Sequence, residues 1–149
     1  MADETFAFEE LRKRFLTEAI QAANTAGLGD VFKTPGYPFV QPQATPWVEF
    51  TYEVGKTFPA SLGAGEDLDA PDYTVGIFQF DVYVPEDSGT GPGTILGEKL
   101  RKQVNRKEWL VGDVGHVKLG AFSTQPVNTT MKGWNCICVR GSYGFWHRG

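Results

Sequence analysis

YTVGIFQFDVYVPEDSGTGPGTILGEKLRKQV, at residues 73–104, is the stretch that decides the fold, because it predicts a strand, a turn and a helix in succession. Residues 74–84 alternate between two faces and are rich in β-branched and aromatic side chains, as is typical of a strand. We expect this strand at the centre of a sheet. One face carries Gly76, Phe78, Phe80, Val82 and Val84, and the other carries Val75, Ile77, Gln79, Asp81 and Tyr83.

A glycine-rich segment, GTGPGT at residues 89–94, leads from this strand into the helix. Leu96, Leu100 and Val104 recur at helical spacing and should face inward, and Thr94 is a candidate cap. The segment has glycines before a helix, as phosphate-binding loops do. It lacks the P-loop lysine and the G-x-G-x-x-G spacing, so a plain turn that uses the backbone freedom of glycine is the simpler interpretation.

A second, amphipathic helix is predicted near the start of the chain, from residue 8 onward. Its apolar residues recur at three- and four-residue spacing, and charged residues occupy the opposite side. Asp3 or Thr5 can cap its start, and Gly27 or Gly29 can end it. Residues 30–46 are rich in proline and predict a loop that leads to the sheet.

The strand that follows this loop covers residues 47–58 and alternates as a half-buried strand does. Shorter strands are predicted at residues 109–111, 116–122 and 129–140, ahead of an aromatic tail. The order is therefore α-β-β-α-β-β-β, and two helices on one face of a mostly antiparallel mixed sheet would bury both apolar stripes. With 149 residues and no internal repeat, we expect a single α+β domain over residues 1–149.

The charge of the chain limits its partners. Fourteen basic and eighteen acidic residues give a net charge of −4, which opposes non-specific attraction to nucleic acid. The start, MADETFAFEELRKRF, is charged where a signal peptide would be apolar, and no stretch approaches the roughly 20 apolar residues of a membrane span. We expect a cytoplasmic protein with neither a membrane nor a specific nucleic acid as partner.

The two cysteines are the first candidates for a chemical site. Cys136 and Cys138 would share one face of a strand, and His147 could add a third metal ligand. Structural zinc takes four ligands, and the sequence has no second Cys/His cluster. Burial of two small residues is the simpler interpretation.

A hydrolytic triad is the other chemical possibility. His116, Asp113 and Ser123 have the required residue types, but no nucleophile motif such as G-x-S-x-G accompanies them. We expect His116 to open a strand and His147 to lie in a frayed terminus. We therefore predict that the protein is not an enzyme. We expect it to have no catalytic, metal-binding or cofactor-binding residue and no cofactor.

Two segments of opposite charge are candidate contact surfaces. Patches of opposite sign on one chain can meet between copies in a head-to-tail ring. Trp47 is a further candidate subunit contact, because the aromatic residues on the strand faces cannot all point inward. The acidic segment 59–72 contributes Leu62, Glu66, Asp67, Asp69 and Asp72, and the basic set consists of Lys99, Arg101, Lys102, Arg106 and Lys107.

TPWVEFTYEVG at residues 45–55, together with residues 73–104, resembles the small tail terminator proteins of long-tailed bacteriophages. This family includes phage-related domains long labelled as of unknown function. The shared features are the first helix, the proline-rich lead, a P-W strand, a G-I-x-Q-x-D-V-Y-V-P strand and the glycine turn. The resemblance covers residues 8–139, is sharpest at residues 76–85, and rests on structural motifs.

The resemblance implies a virion structural protein that caps the tail tube as a ring, generally a hexamer, and stops its polymerisation. Its partners would be further copies, the tail tube protein and a head-completion or neck protein, in a tail assembled in the host cytoplasm. From their composition, we expect the acidic segment 59–72 to contact the tube, and the basic helix and Trp47 to contact neighbouring subunits. Three alternatives remain open, namely a neck or head-completion protein, a small enzyme, and a ligand-binding module.

Overall fold

The first helix, α1 (Ala7–Thr25), forms where the apolar spacing predicts it and buries its apolar side. The computed structural model describes residues 6–60 and 71–148, so the predicted caps Asp3 and Thr5 lie outside the described residues. Gly27, two residues beyond the end of the helix, terminates it by adopting a φ of 81°. The amide of the next residue donates to the helix carbonyl five residues back at 2.7 Å, which is the hydrogen bond of a Schellman C-cap.

Within residues 6–60 and 71–148, seven strands form one mixed sheet, in the order β1-β2-β3-β7-β5-β4, with β6 pairing the first half of β7. All neighbours are antiparallel except β1 and β2, which are parallel. The predicted α+β class is confirmed, and the strand of residues 74–84 is central as expected. The strands are β1 (Phe32–Lys33), β2 (Trp47–Pro59), β3 (Asp72–Pro85), β4 (Glu108–Val111), β5 (Gly115–Leu119), β6 (Ser123–Val127) and β7 (Trp134–His147).

The strand prediction was wrong at three places. β1 and β6 were not predicted, because both are short and are defined only by the strand they pair with. β7 begins later than residue 129 and continues through the aromatic tail. His147 is therefore not in a frayed terminus, since it pairs with Asp72 of β3 and is 2% exposed.

The second helix, α2 (Gly91–Val104), begins three residues before Thr94. Thr94 is not the cap, because its hydroxyl donates to the carbonyl of Thr90 from inside the helix at 2.9 Å. Gly93 allows the helix to lie close to the sheet, since a Cβ there would come within 2.8 Å of the Ile137 side chain. Glycine is needed at this position because it has no side chain, and not because of its backbone freedom.

Both helices pack on the same face of the sheet, which we call the helix face. Phe15 of α1 meets the rings of Tyr52, Phe78 and Tyr143 edge-on at centroid distances of 4.9–5.2 Å. α2 packs against Ile137 at Gly93. The buried core lies between these helices and the sheet, and the other side of the sheet is the open face.

Candidate interaction surface on the open sheet face

The open face is not covered by a helix in the part of the chain that the structure describes. Alternate side chains of β3 point to it, and Val75, Ile77 and Gln79 are half-buried there, whereas Phe78 and Phe80 on the helix face are fully buried. At one end, residues from the proline-rich loop lie over Trp47. Among the described residues of this face, Glu53, Arg140 and Ser142 are exposed.

A row of apolar and aromatic side chains crosses the far end of the open face, and we call it the aromatic row. Each member is the cross-strand partner of the next, so that the row crosses five strands. The ring centroids of Phe58 and Tyr73 are 5.3 Å apart, and those of Tyr73 and Trp146 are 4.6 Å apart. The His116 ring is stacked on Trp146 at 4.9 Å and 10°. The row consists of Phe58, Tyr73, Trp146, His116 and Leu110.

The two ends of the aromatic row are its most exposed members. Leu110 on β4 is 73% exposed, and Phe58 on β2 is 38% exposed. The row stays flat against the sheet because Gly144 lies beneath the Tyr73 ring, where a Cβ would come 2.5 Å from the phenol oxygen. A continuous apolar strip that reaches both edges of a sheet is typical of an interaction surface.

The centre of the open face is polar and contains Asp81 between the two cysteines. The amide of Gln79 donates to both Asp81 carboxylate oxygens at 3.0 Å. Burial raises the pKa of Asp81, and this hydrogen bond opposes the rise. Burial and the nearby carboxylate raise the pKa of Cys136 to about 12 and that of Cys138 to about 11. The raised pKa values keep both thiols protonated at neutral pH, which disfavours either of them as a nucleophile.

The structure does not bring the candidate metal ligands together. The side chains of Cys136 and Cys138 lie on the open face, and His147 lies on the helix face, where its Nε2 is 2.8 Å from the Thr74 hydroxyl. His147 is eleven residues beyond Cys136 along β7, or on the order of 35 Å at the rise of an extended strand. Among the described residues, no group of three or more His, Cys, Asp or Glu could hold a metal.

The residues of the possible hydrolytic triad are also separated. His116 pairs with Trp146 and Ser123 pairs with Arg140, so they lie six residues, or roughly 20 Å, apart along β7. Asp113 is exposed in the turn between β4 and β5. The ring of His116 stacks in the aromatic row, with its Nε2 3.9 Å from a Glu108 carboxylate oxygen.

Trp47 is not a surface contact, which corrects the sequence prediction. It is 1% exposed, because its ring stacks on Tyr83 at 4.2 Å and is covered by Phe39 at 5.4 Å. The Lys33 ammonium lies 5.7 Å from the ring centroid. Trp47 lies on the open face, opposite Tyr83, but the proline-rich loop buries this end of it.

The basic set lies on and after α2, in the helix layer, and so is separate from the open face. Lys99, Lys102, Arg106 and Lys107 are exposed. Arg101 differs, because its Nε donates to the carbonyl of Phe122 at 2.8 Å and ties α2 to the chain ahead of β6. Arg101 therefore has a structural role within its own subunit.

The acidic segment is described only in part. Leu62, Glu66, Asp67 and Asp69 lie outside the described residues. Asp72 does not belong to a loop, since it begins β3 and pairs with Pro59 on one side and His147 on the other. The glycine segment 89–94 is a turn and helix start with Glu86 and Asp87 beside it, whose charge opposes a phosphate.

A groove borders the outer edge of β2, at the helix-face side. It has a volume of about 400 Å³ and is lined by Leu16, Pro35, Phe50 and Tyr52 together with neighbouring polar groups. Arg12 lies at this groove, where it donates to both carboxylate oxygens of Glu9 and to the Tyr37 hydroxyl. Because its donors are engaged by its own chain, Arg12 stabilises the wall of the groove.

The aromatic row was not predicted from the sequence. Strand periodicity could have assigned Tyr73 to the open face, since it alternates with Thr74. Trp146 and Phe145 are neighbours on one strand and therefore point to opposite faces, and Phe145 is fully buried. The pairing that aligns Phe58, Tyr73 and Trp146 depends on the register of three strands, which no single segment contains.

Comparisons with known proteins support the fold. No family model and no curated protein matches the chain. Eight chains of solved structures match, and one of them, whose name is only a serial identifier, has a TM-score of 0.70 at 18% identity over 95% of this chain and 96% of its own. In the described ranges, 6–60 and 71–148, neither helix has the length and apolarity needed to cross a membrane. At this identity the structural likeness establishes the α+β fold alone.

Proposed function

We propose that the protein is a tail terminator of a long-tailed bacteriophage. It would form a ring on the end of the tail tube, stop tube polymerisation and present the surface to which a head-completion protein binds. The sequence motifs of that family support this proposal. The two stretches that carry them, residues 45–55 and 73–104, contribute to β2, β3 and α2, which pack against one another.

The aromatic row is the observation that carries the proposal. Water-exposed apolar side chains that extend from one sheet edge to the other gain free energy when a protein partner covers them, at about 25 cal/mol per Å² of apolar area. The separated positions of His116, Ser123 and the cysteines favour assembly over catalysis as the use of this face.

A ring of this protein would stop growth through the difference between its two ends. Subunits in a ring meet by heterologous contacts that close on themselves. Each subunit then presents one end towards the tube and a different end away from it. Only the first end has to match the tube, so that further tube subunits find no complementary surface on the second.

The test is polymerisation of the tail tube protein of the same phage, with and without this chain. Tube length is measured by electron microscopy, and the mass of the free protein by light scattering. We expect shorter, capped tubes and a ring of about six chains, in solution or on the tube. Trp146→Ala should abolish capping, and Ile95→Ala is the matched control because Ile95 is also an exposed apolar residue, in the helix layer.

Two results would contradict the proposal. Tubes of unchanged length, combined with binding of the chain to the portal complex, would identify a neck or head-completion protein. Tubes of unchanged length, without binding of the chain to the tube or to the portal complex, would favour a ligand-binding module. Trp146→Ala must remain folded by circular dichroism for its capping result to count.

A further inference from the structure

We infer that β2 of one subunit lies beside β4 of the next, so that the aromatic row continues from subunit to subunit around the ring. This inference rests on the proposed ring and specifies its contact. The partner is therefore a second copy of the chain, and the register is set by Phe58 and Leu110.

Where the aromatic row reaches β2 and β4, the outer edges of both strands are unpaired within the described residues. β1 covers β2 only at Val48 and Glu49, and no other described strand pairs with the outer side of β2. β4 ends the sheet at the other side and pairs only with β5 in the same described ranges. Unpaired edges pair readily with other chains, so proteins protect them or use them.

The strand directions permit a closed ring. β2 and β4 run in the same direction, because three intervening strands separate them and every step across the sheet is antiparallel. A rotation about an axis along the strands preserves direction, so it would place β4 of one copy parallel to β2 of the next. Because the two edges are different, the contact is heterologous and repeats until the ring closes.

The exposed side chains at the two edges are complementary in two adjacent rows. Leu110 and Phe58 are the two ends of the aromatic row, so two apolar side chains would be in contact between neighbouring subunits. In the neighbouring row of cross-strand partners, the end member on β4 is Glu108. That row reaches β2 at a bulge between Val54 and Thr57, which contains Lys56. A register that places Leu110 beside Phe58 therefore also places Glu108 beside Lys56.

The bulge and Lys56 also give the edge its selectivity. A bulge and a lysine on an edge strand both deter random strand pairing. A partner edge has to place an acidic side chain beside Lys56 and an apolar one beside Phe58. β4 of a second copy does both, through Glu108 and Leu110.

Disulfide trapping tests this register directly. In the double variant Phe58→Cys with Leu110→Cys, paired strands would place the two Cα atoms about 5 Å apart, within the disulfide range of roughly 4.4–6.8 Å. A mild oxidant should give a ladder of linked chains that ends in a covalent ring, while each single variant gives no ladder. The native thiols are both buried and should not react.

The matched control is Val40→Cys with Leu110→Cys. Val40 is 91% exposed and lies in the proline-rich loop, outside the row, so it offers a more accessible thiol without the predicted register. A ladder of equal yield from this pair would overturn the inference, because the linkage would then reflect exposure alone.

The outcome separates failure of the contact from failure of the function. The mass of each variant under reducing conditions and the tube lengths are measured on the same samples. A ring or capped tubes without the 58–110 linkage would overturn the edge contact and leave the terminator proposal in place. Monomers that neither link nor shorten tubes would overturn both.

Charge reversal provides a second test that does not depend on cysteine chemistry. Lys56→Glu or Glu108→Lys alone should raise the concentration needed for ring formation roughly two- to fivefold, the effect of an exposed ion pair. The double reversal should restore assembly, and high salt should reduce the effect of each single variant. A double variant no better than either single variant would overturn the inference.

Discussion

The two faces of the sheet are made from the same strands but differ in what completes them. On β3, Phe78 and Phe80 point to the helix face and have no exposed surface, whereas their neighbours Ile77 and Gln79 remain half-buried on the open face. The helix face is completed by α1 and α2 of the same chain. In our proposal, neighbouring subunits continue the open face at its edges and a protein partner covers it, and this difference between the faces is what mutation can test.

The largest expected effect is on the helix face. Phe78→Ala should lower the free energy of unfolding by about 3–5 kcal/mol, because the cavity would lie among packed rings. Ile77→Ala is the adjacent control on the open face and should cost about 1–2 kcal/mol, since its side chain already has water contact. Urea unfolding measures both. Equal losses would contradict the difference between the faces.

Two glycines of β7, one on each face, allow a second comparison with a smaller expected change in stability. At Gly141 a Cβ would come 2.6 Å from the Phe122 ring, which is 4% exposed, so Gly141→Ala should cost about 1–3 kcal/mol. At Gly144 the obstacle is the end of the Tyr73 ring, which can turn into solvent. We expect Gly144→Ala to change stability by less than about 1 kcal/mol and yet to impair ring formation.

The outcome for Gly144→Ala distinguishes the row from ordinary packing. Thermal unfolding gives the stability of the variant, and light scattering gives its assembly. Normal assembly together with the small stability change would show that the position of Tyr73 is not needed between subunits. A large loss of stability would show that the Tyr73 ring is as constrained as Phe122.

The smallest effect is expected at Asp81, and it depends on pH. Its pKa is raised by burial, so its protonated form favours folding at low pH, and that stability is lost as pH rises through the folded pKa. Asp81→Asn should therefore raise the melting temperature at pH 7 and leave it unchanged near pH 3, below the ordinary aspartate pKa of about 3.9. The exposed Asp87→Asn is the control. Stabilisation at pH 3 rather than pH 7 would contradict this assignment.

Much of the fold was predictable because its elements are strongly periodic. The spacing of Leu11 and Phe15 identified α1, and the alternation around Phe78 identified β3 as a central strand. β6 could not be predicted, because STQPV has no clear alternation and contains a proline. It is a strand only because β7 offers an edge to pair with.

The candidate surface was predictable only in part. The sequence indicated that some aromatic residues must point outward, but it suggested Trp47, which Phe39 covers. A loop that folds back over a strand end cannot be inferred from the strand itself. The row of Phe58, Tyr73 and Trp146 was missed for the related reason that it crosses strands far apart in the chain.

The sequence by itself determined the class of the fold, the positions of its two helices and of β2 and β3, and the two sets of β3 side chains that share a face. These depend on local periodicity, which each segment carries within itself. Only the tertiary structure decided which open-face side chains are covered, which form the aromatic row, and that His147 is buried rather than frayed. Those facts depend on strand register and loop packing, which arise from contacts between residues distant in the chain.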